Sequence, residues 1–214
     1  MKKINIIIIG SGDHSKVIFS EISKIKKFNF KGFINEIGIN KKIKNFKQNY
    51  KLKNTGTIKN LNKFIKENSF VVAIGNNITR KKIIKNMERK YKKIKWEKII
   101  SKNSNLASGV KIGKGSMIIS GSTINVGTII GKHCIINTNC SIDHDNFIDN
   151  FSNCSPGTVC AGNVKINQGV FVGLGSSIKE NITIGKNTII GAHSYVNKNC
   201  KKDSVYYGVP AKKR

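Results

Sequence analysis

Acidic residues are scarce in this chain. Its 214 residues hold 11 Asp and Glu against 39 Lys and Arg, a formal net charge of +28. Residues 1–105 carry 27 of the basic residues and only 6 of the acidic ones. Such an imbalance raises nucleic acid or an anionic membrane as partners. The aromatics are also few, 7% of the chain, and do not interleave with the lysines as a base-stacking platform requires. Lysine instead travels with isoleucine and asparagine, as in Lys41-Lys42-Ile43-Lys44-Asn45, the pattern of a compositional bias. The reading is therefore no nucleic acid and no membrane, with a general attraction for anionic ligands such as nucleotides. The longest apolar run at the start, Ile4–Ile9, is too short to span a bilayer and is followed by no small-residue cleavage site. The five cysteines match no zinc spacing, so no metal is expected; they read as reduced thiols of a cytoplasmic protein.

What the chain has in quantity is a period of six. From Leu106 through Ile112, Ile118 and onward to Val196, every sixth residue is aliphatic or cysteine, sixteen times in succession. Two positions earlier runs a second register of mostly small or β-branched residues, from Ser104 through Ser122, Asn146 and Thr158 to Ser194. Alternate side chains of a strand share a face, so both registers point inward, and the remaining residues turn the chain. Gly113, Gly131, Gly173, Gly185 and Gly191 follow the first register, where a tolerance of positive φ is expected to serve a corner. One hexad cannot bury its own face; stacked hexads bury each other's. Four of the five cysteines, Cys134, Cys140, Cys154 and Cys160, occupy these registers as small core residues. Hexads of this form resemble the left-handed β-helix acyltransferase superfamily. That resemblance implies the handedness and three hexads per triangular coil, hence roughly five coils here.

The first hundred residues have no such period. Ile4–Ile9 reads as a buried strand, followed by Gly10-Ser11-Gly12-Asp13-His14-Ser15 and an amphipathic stretch with Val17, Ile18, Ile22 and Ile25. Strand, glycine turn and helix open a Rossmann-like unit, with the helix N-terminus offered to an anion. Ser15 stands where the third glycine of the dinucleotide fingerprint belongs, so a helix capped by Asp13 or Ser15 fits the same residues. Strands are also expected over Phe30–Ile34, Phe70–Ile74 and Trp96–Ile100, and helices over Leu61–Glu67 and Ile78–Lys90. Residues 38–56 give little signal. Loops after three of these strands, at Gly10–Ser15, Asn35-Glu36 and Gly75-Asn76-Asn77, lie where open parallel sheets bind ligands. The organisation is read as a small α/β domain over 1–100 and a β-helix with a short tail over 101–214.

Five stretches together resemble the bacterial NeuD/PglD family of sugar and sugar-nucleotide acetyltransferases. They are Gly10 to Val17, Val72 to Asn77, Asp143-His144-Asp145, Cys160 to Val164, and Gly208-Val209-Pro210-Ala211-Lys212. The resemblance covers nearly the whole chain. It departs at Asp13 and Ser15, where relatives often have glycine, and at Asn35-Glu36, where they often have two aspartates; both departures fall in the sugar-nucleotide site. The resemblance implies acetyl-CoA as co-substrate and a nucleotide-linked 4-amino sugar, UDP-linked in the simplest case, as acceptor in surface-glycan synthesis. O-acetylation of a sialic-acid-like sugar, or a non-catalytic binding protein, would use the same scaffold. It also implies a homotrimer.

His144 follows the inward Ile142 by two residues, at a corner, and is flanked by Asp143 and Asp145. On its own it reads as a solvated corner histidine. A carboxylate on one ring nitrogen fixes the tautomer and raises the basicity of the other. The family places its general base at this histidine and its orienting acid at Asp145; Asp143 is the alternative by position. Adding one coil of eighteen residues leads to Gly162, expected beside His144 with its N–H available to an oxyanion. His133 and His193 lack an adjacent acid and read as structural. The family's acetyl-CoA contacts carry over to Leu174 and Ala192, and to Asn153 where relatives can carry histidine. Acceptor contacts are assigned to Gly12, Asp13, His14, Asn35, Glu36, Gly75, Asn76 and Asn77.

Overall fold

Five isoleucines in six residues make Ile4–Ile9 strand β1, and its last four side chains are buried. In a computed structural model it lies second from the edge of a parallel four-stranded sheet. The order is β3 (Asn54–Thr57), β2 (Phe28–Asn35), β1, β4 (Ser69–Val72). The structure describes residues 3–10, 12–35 and 54–214. The chain divides into two units, Met1–Ile99 and Ile100–Arg214.

In the first unit, helix α1 (Asp13–Lys24) lays Ile18, Phe19 and Ile22 into the core, while Val17 is 38% exposed. The buried stripe is thus one residue out of phase with the expected one at Val17. Helix α2 (Asn77–Lys90) buries Ile83, Ile84 and Met87. The strand near Phe30 extends to Phe28 and Asn35, and that near Phe70 is Ser69–Val72. The expected helix at Leu61–Glu67 is instead a 3-10 turn over Ile58–Lys63. Trp96 makes only a bridge to Phe70, and the strand is confined to β5 (Ile99–Ile100).

In the second unit the hexads become sixteen two-residue strands, β6 (Asn105–Leu106) to β21 (Tyr195–Val196), each ending on a first-register residue. Strands one coil apart pair in parallel, as Ile129↔Phe147 and Ser141↔Val159 do, which makes a coil eighteen residues. Three sheets result, of five, eight and six strands. The six-stranded face gives about six levels, one more than the hexad count implied. The eight-stranded face also takes β5 at one end, whose Ile100 falls six residues before Leu106, and at the other β22 (Val205–Tyr207) and β23 (Lys212–Lys213), which do not carry the hexad pattern. Apart from the partly buried Ile112, the inward isoleucines from Ile118 to Ile190 are essentially inaccessible to solvent. Each stabilises the fold by roughly 1.5–3 kcal/mol through burial. All five cysteines are buried and none forms a disulfide.

The glycine expectation needs correcting. The five glycines after the first register do not have positive φ. A Cβ on Gly113 would lie 2.5 Å from the backbone of Gly131 in the next coil, so they are required by the closeness of stacked backbones. The left-handed position comes two residues later, at Gly109, Gly115 and Gly127 and also at His133, Asp145 and His193. Asparagine, aspartate and histidine tolerate that conformation better than most residues.

Candidate active site and acceptor loops

The corner holding His144 lies between β12 (Ser141–Ile142) of the six-stranded face and β13 (Phe147–Ile148) of the five-stranded one. Its backbone is fixed from inside. The Thr128 hydroxyl donates to the Asp143 carbonyl at 2.8 Å and accepts from the Asn146 amide at 3.2 Å. The buried Asn146 side chain donates to Asp143 O at 2.7 Å and to Ala161 O at 3.0 Å, and accepts from Val164 N at 2.9 Å. Asn146 therefore clamps three successive coil segments around the histidine. Ladder bonds above and below, Asp145 N to Val126 O and Asn163 N to His144 O, lock the level.

The two aspartates divide their work. Asp143 accepts from Asn125 Nδ2 at 2.9 Å and from the His144 amide at 2.8 Å. Those bonds, the one from Asn125 first, hold its carboxyl below the usual range. Asp145, at φ 55°, turns its carboxylate to His144 Nδ1 at 2.9 Å. That bond is the main reason the imidazole is more basic than an ordinary histidine. The other Asp145 oxygen lies over Gly127, one coil earlier, in the space a side chain there would fill. With Nδ1–H donated to Asp145, Nε2 is left as the acceptor. The His144 side chain is 47% exposed, so this nitrogen has an approach from solvent.

Gly162 lies beneath the ring. A Cβ on it would sit 2.5 Å from both Cε1 and Nε2 of His144, so glycine makes room for the imidazole itself as well as for a ligand. The adjacent ladder bonds run from the amides of Ala161 and Asn163. Leu174 and Ala192 share another corner, one coil apart, between the eight- and six-stranded faces, and both are exposed, Leu174 to 50%. An exposed apolar side chain beside a small one suits the methylene-rich arm of a coenzyme thioester. Asn153 does not join them: it is only 4% exposed, on β14 (Asn153–Cys154) of the eight-stranded face. His133 is buried and stacked on Phe151, with ring centroids 5.4 Å apart, whereas His193 is exposed.

In the first unit the Gly10 and Gly75 loops follow adjacent strands. Gly10, at φ 122°, packs so closely that a Cβ would lie 2.9 Å from Ala73 O. Gly12 is the N-cap of α1, with no side-chain cap. Ser15 Oγ donates back to Gly12 O at 2.5 Å and Asp13 pairs with Lys16 at 2.8 Å, so neither residue caps the helix. A Cβ on Gly12 or on Gly75 would meet no atom within 4 Å, so both glycines face open space. The His14 ring is largely buried; burial first, and then the nearby Arg80 cation, lower its pKa to about 4. Asn76 caps α2 by accepting from Thr79 N at 2.9 Å, and Asn77 Oδ1 accepts from Arg80 Nη2 at 2.8 Å. Both asparagines thus build their turn. Asn35 ends β2, and Glu36 lies outside the described residues.

Three residues with structural command of these sites, Asn125, Asn146 and Arg80, were not singled out by sequence reasoning. Asn146 carried a signal: it is the one amide in an inward register of small or apolar residues, directly after Asp-His-Asp. Arg80 carried none, because it reads as one more base in a lysine-rich helix. Among the described residues no cluster could hold a metal ion, and no helix is long and apolar enough to cross a membrane.

Comparison with known proteins agrees with this architecture. Over 98% or more of its length the chain is similar to three solved structures, each covered to at least 97%. One is the acetyltransferase domain of PglB from Neisseria gonorrhoeae in complex with acetyl coenzyme A, at 24% identity and a TM-score of 0.87. The second is PerB from Caulobacter crescentus in complex with CoA and GDP-perosamine, at 25% and 0.84. The third is WeeI from Acinetobacter baumannii, at 20% and 0.76. The family model of the PglD N-terminal domain matches residues 5–87. The chain thus shares the fold of PglB and PerB over nearly its whole length, and its amino-terminal unit is similar to the PglD N-terminal domain.

Proposed function

We propose that this protein is an acetyl-CoA-dependent N-acetyltransferase of nucleotide-linked amino sugars. The observation that carries the reading is the Asp145–His144 pair seated over Gly162. His144 Nε2, a lone-pair acceptor of raised basicity, takes a proton from the acceptor amine. The amine nitrogen bonds to the thioester carbonyl carbon, the carbon–sulfur bond breaks with its electron pair going to sulfur, and the proton passes to the departing thiol. Asp145 stabilises the imidazolium formed between these events. The Gly162 N–H is the candidate donor to the carbonyl oxygen as charge develops there. Acetyl-CoA supplies the activated acetyl group; Leu174 and Ala192 would flank its arm, with Asn153 the weaker assignment.

The acceptor is read as a 4-amino sugar, UDP-linked in the simplest case, made for a bacterial surface glycan. The amino-terminal unit, over residues 1–100, would hold its nucleotide. Gly12, Asp13, His14 and the Gly75–Asn77 turn would contact it, with Asn35 and Glu36 at the third loop. The open glycines and the uncapped start of α1 support this, since a helix N-terminus favours the diphosphate. His144 and Leu174 occupy different corners, separated by a side of at most about 20 Å. A homotrimer whose neighbouring corners meet would complete each site. Cysteines that form no disulfide and a coenzyme A substrate fit the cytoplasm.

The test is to incubate the protein with acetyl-CoA and UDP-, GDP- and dTDP-linked 4-amino sugars, alongside their 4-hydroxy analogues, and to analyse the products by mass spectrometry. Acetyl transfer to an amine by a trimer, judged by light scattering, is expected. Transfer to hydroxyls alone would replace the reading with O-acetylation. No transfer to any acceptor would overturn it, and an active monomer would remove the shared corner.

A further inference from the structure

A fully buried arginine needs an explanation. Arg80 is 0% exposed, in the first turn of α2, and no lysine and no other arginine among the described residues is buried. Burying a guanidinium is costly unless its donors are satisfied. Three of its hydrogen bonds converge on one place. Nη1 donates to Ile74 O at 2.9 Å and to Gly75 O at 3.0 Å, and Nη2 donates to Asn77 Oδ1 at 2.8 Å. These acceptors are successive parts of the turn after β4. The same cation acts on His14, in the first turn of α1, after β1. His14 Nε2 is buried and has no hydrogen-bond partner among the described residues. The two loops already touch through the backbone, at Gly10 and Ala73. The planar fork of arginine can bridge several carbonyls at once, which a lysine ammonium does less well.

We propose that Arg80 is the positioning residue of the acceptor site: its guanidinium locks the Gly75–Asn77 turn and fixes His14 beside it as an uncharged hydrogen-bonding group for the nucleotide. The proposal rests on the reading that the amino-terminal unit binds the acceptor. It assigns different work to the two loops. The diphosphate is left to backbone N–H groups at α1, because a neutral imidazole brings no charge to it. His14 Nε2 meets an uncharged group of the ligand, a hydroxyl or a base edge, and a hydroxyl satisfies it in either tautomer.

The experiment uses the full chain with Arg80→Gln and Arg80→Lys, titrated calorimetrically with UDP and GDP, with CoA as the control ligand. For the nucleotide that the unaltered protein prefers, Arg80→Gln should weaken binding at least tenfold, and Arg80→Lys by an intermediate factor. CoA affinity should stay within twofold in both. The His14 ring, followed by NMR, should titrate near 4 in the unaltered protein and in Arg80→Lys, which keeps the cation. It should move upward in Arg80→Gln, where Asp13 and Lys16 are the remaining charged groups of that turn. Should Arg80→Gln fail to fold, Arg80→Lys still decides, because it keeps the charge and loses the fork. Unchanged nucleotide affinity in Arg80→Lys, or an unmoved His14 in a folded Arg80→Gln, overturns the proposal while leaving the nucleotide reading intact. If the unaltered protein binds CoA but neither nucleotide, the nucleotide reading itself fails, and this proposal with it.

Discussion

The two units place chemistry in opposite ways. In the β-helix a site is a column: His144 and Gly162 are neighbours because they differ by one coil, and Leu174 and Ala192 are neighbours for the same reason. In the amino-terminal unit the site is a convergence. Gly12 and His14 follow β1 and Gly75 follows β4, segments distant in sequence that a parallel sheet sets side by side. Periodic architecture lets distance in space be read from distance in sequence. Convergent architecture hides it, and needs an internal brace such as Arg80 to hold the pieces.

If the columns carry the chemistry and the convergent loops carry recognition, their variants should fail in different constants. The largest expected effect is His144→Ala. The ring is half exposed and contributes little to the core, so Tm should be nearly unchanged, while kcat falls by about 10²-fold or more, as for a lost general base. A variant with full turnover would take the reaction away from this column. Gly75→Val should do the reverse. A Cβ there meets nothing within 4 Å, so the fold should tolerate it, and the acceptor KM should rise about tenfold with kcat retained. Steady-state kinetics with the acceptor varied decides it; a fall in kcat alone would merge the two roles.

The smallest effect sharpens the contrast within a single corner. Asp145→Asn removes the bond that chiefly raises the His144 pKa. A general base acts when neutral, so the rate climbs with pH through that pKa. Lowering it moves the acid-side limb of kcat/KM to lower pH, while the weaker base costs less than about tenfold at the plateau. Asp143→Asn should leave the limb in place, because Asp143 bonds to Asn125 and the backbone. The opposite pattern would exchange the two aspartates.

The hexad register could be read directly because one rule, alternation plus a turn, repeats sixteen times, and each repetition confirms the last. The five corner glycines were located correctly for the wrong reason: sequence shows where glycine is, not whether φ or a neighbouring coil demands it. Leu61–Glu67 misled because its apolar residues suit a helix, while only a 3-10 turn forms at Ile58–Lys63. The cap of α1 escaped because the reading offered Asp13 or Ser15, the residues with capping side chains, and the helix starts from the bare Gly12 instead. At the candidate site, the place of Gly162 beside His144 followed from counting, whereas Asp145 rather than Asp143 came only from the family resemblance. Asn146 and Arg80 act from inside through backbone carbonyls, which no side-chain pattern records.

The eighteen-residue coil also sets a grammar for changes in chain length. Adding or removing whole coils amounts to a translation along the solenoid axis: every downstream side chain keeps its face and corner. A six-residue change is a rotation by one face, and it would carry all later corners to the next edge of the prism. Changes of any other length break the frame. Within Asp143–Gly162 even a rotation separates the imidazole from the glycine beneath it, whereas the levels nearer Leu106 could be multiplied freely. The β-helix therefore has an adjustable length around a site of fixed phase, and sequence comparison within such proteins is best done modulo eighteen.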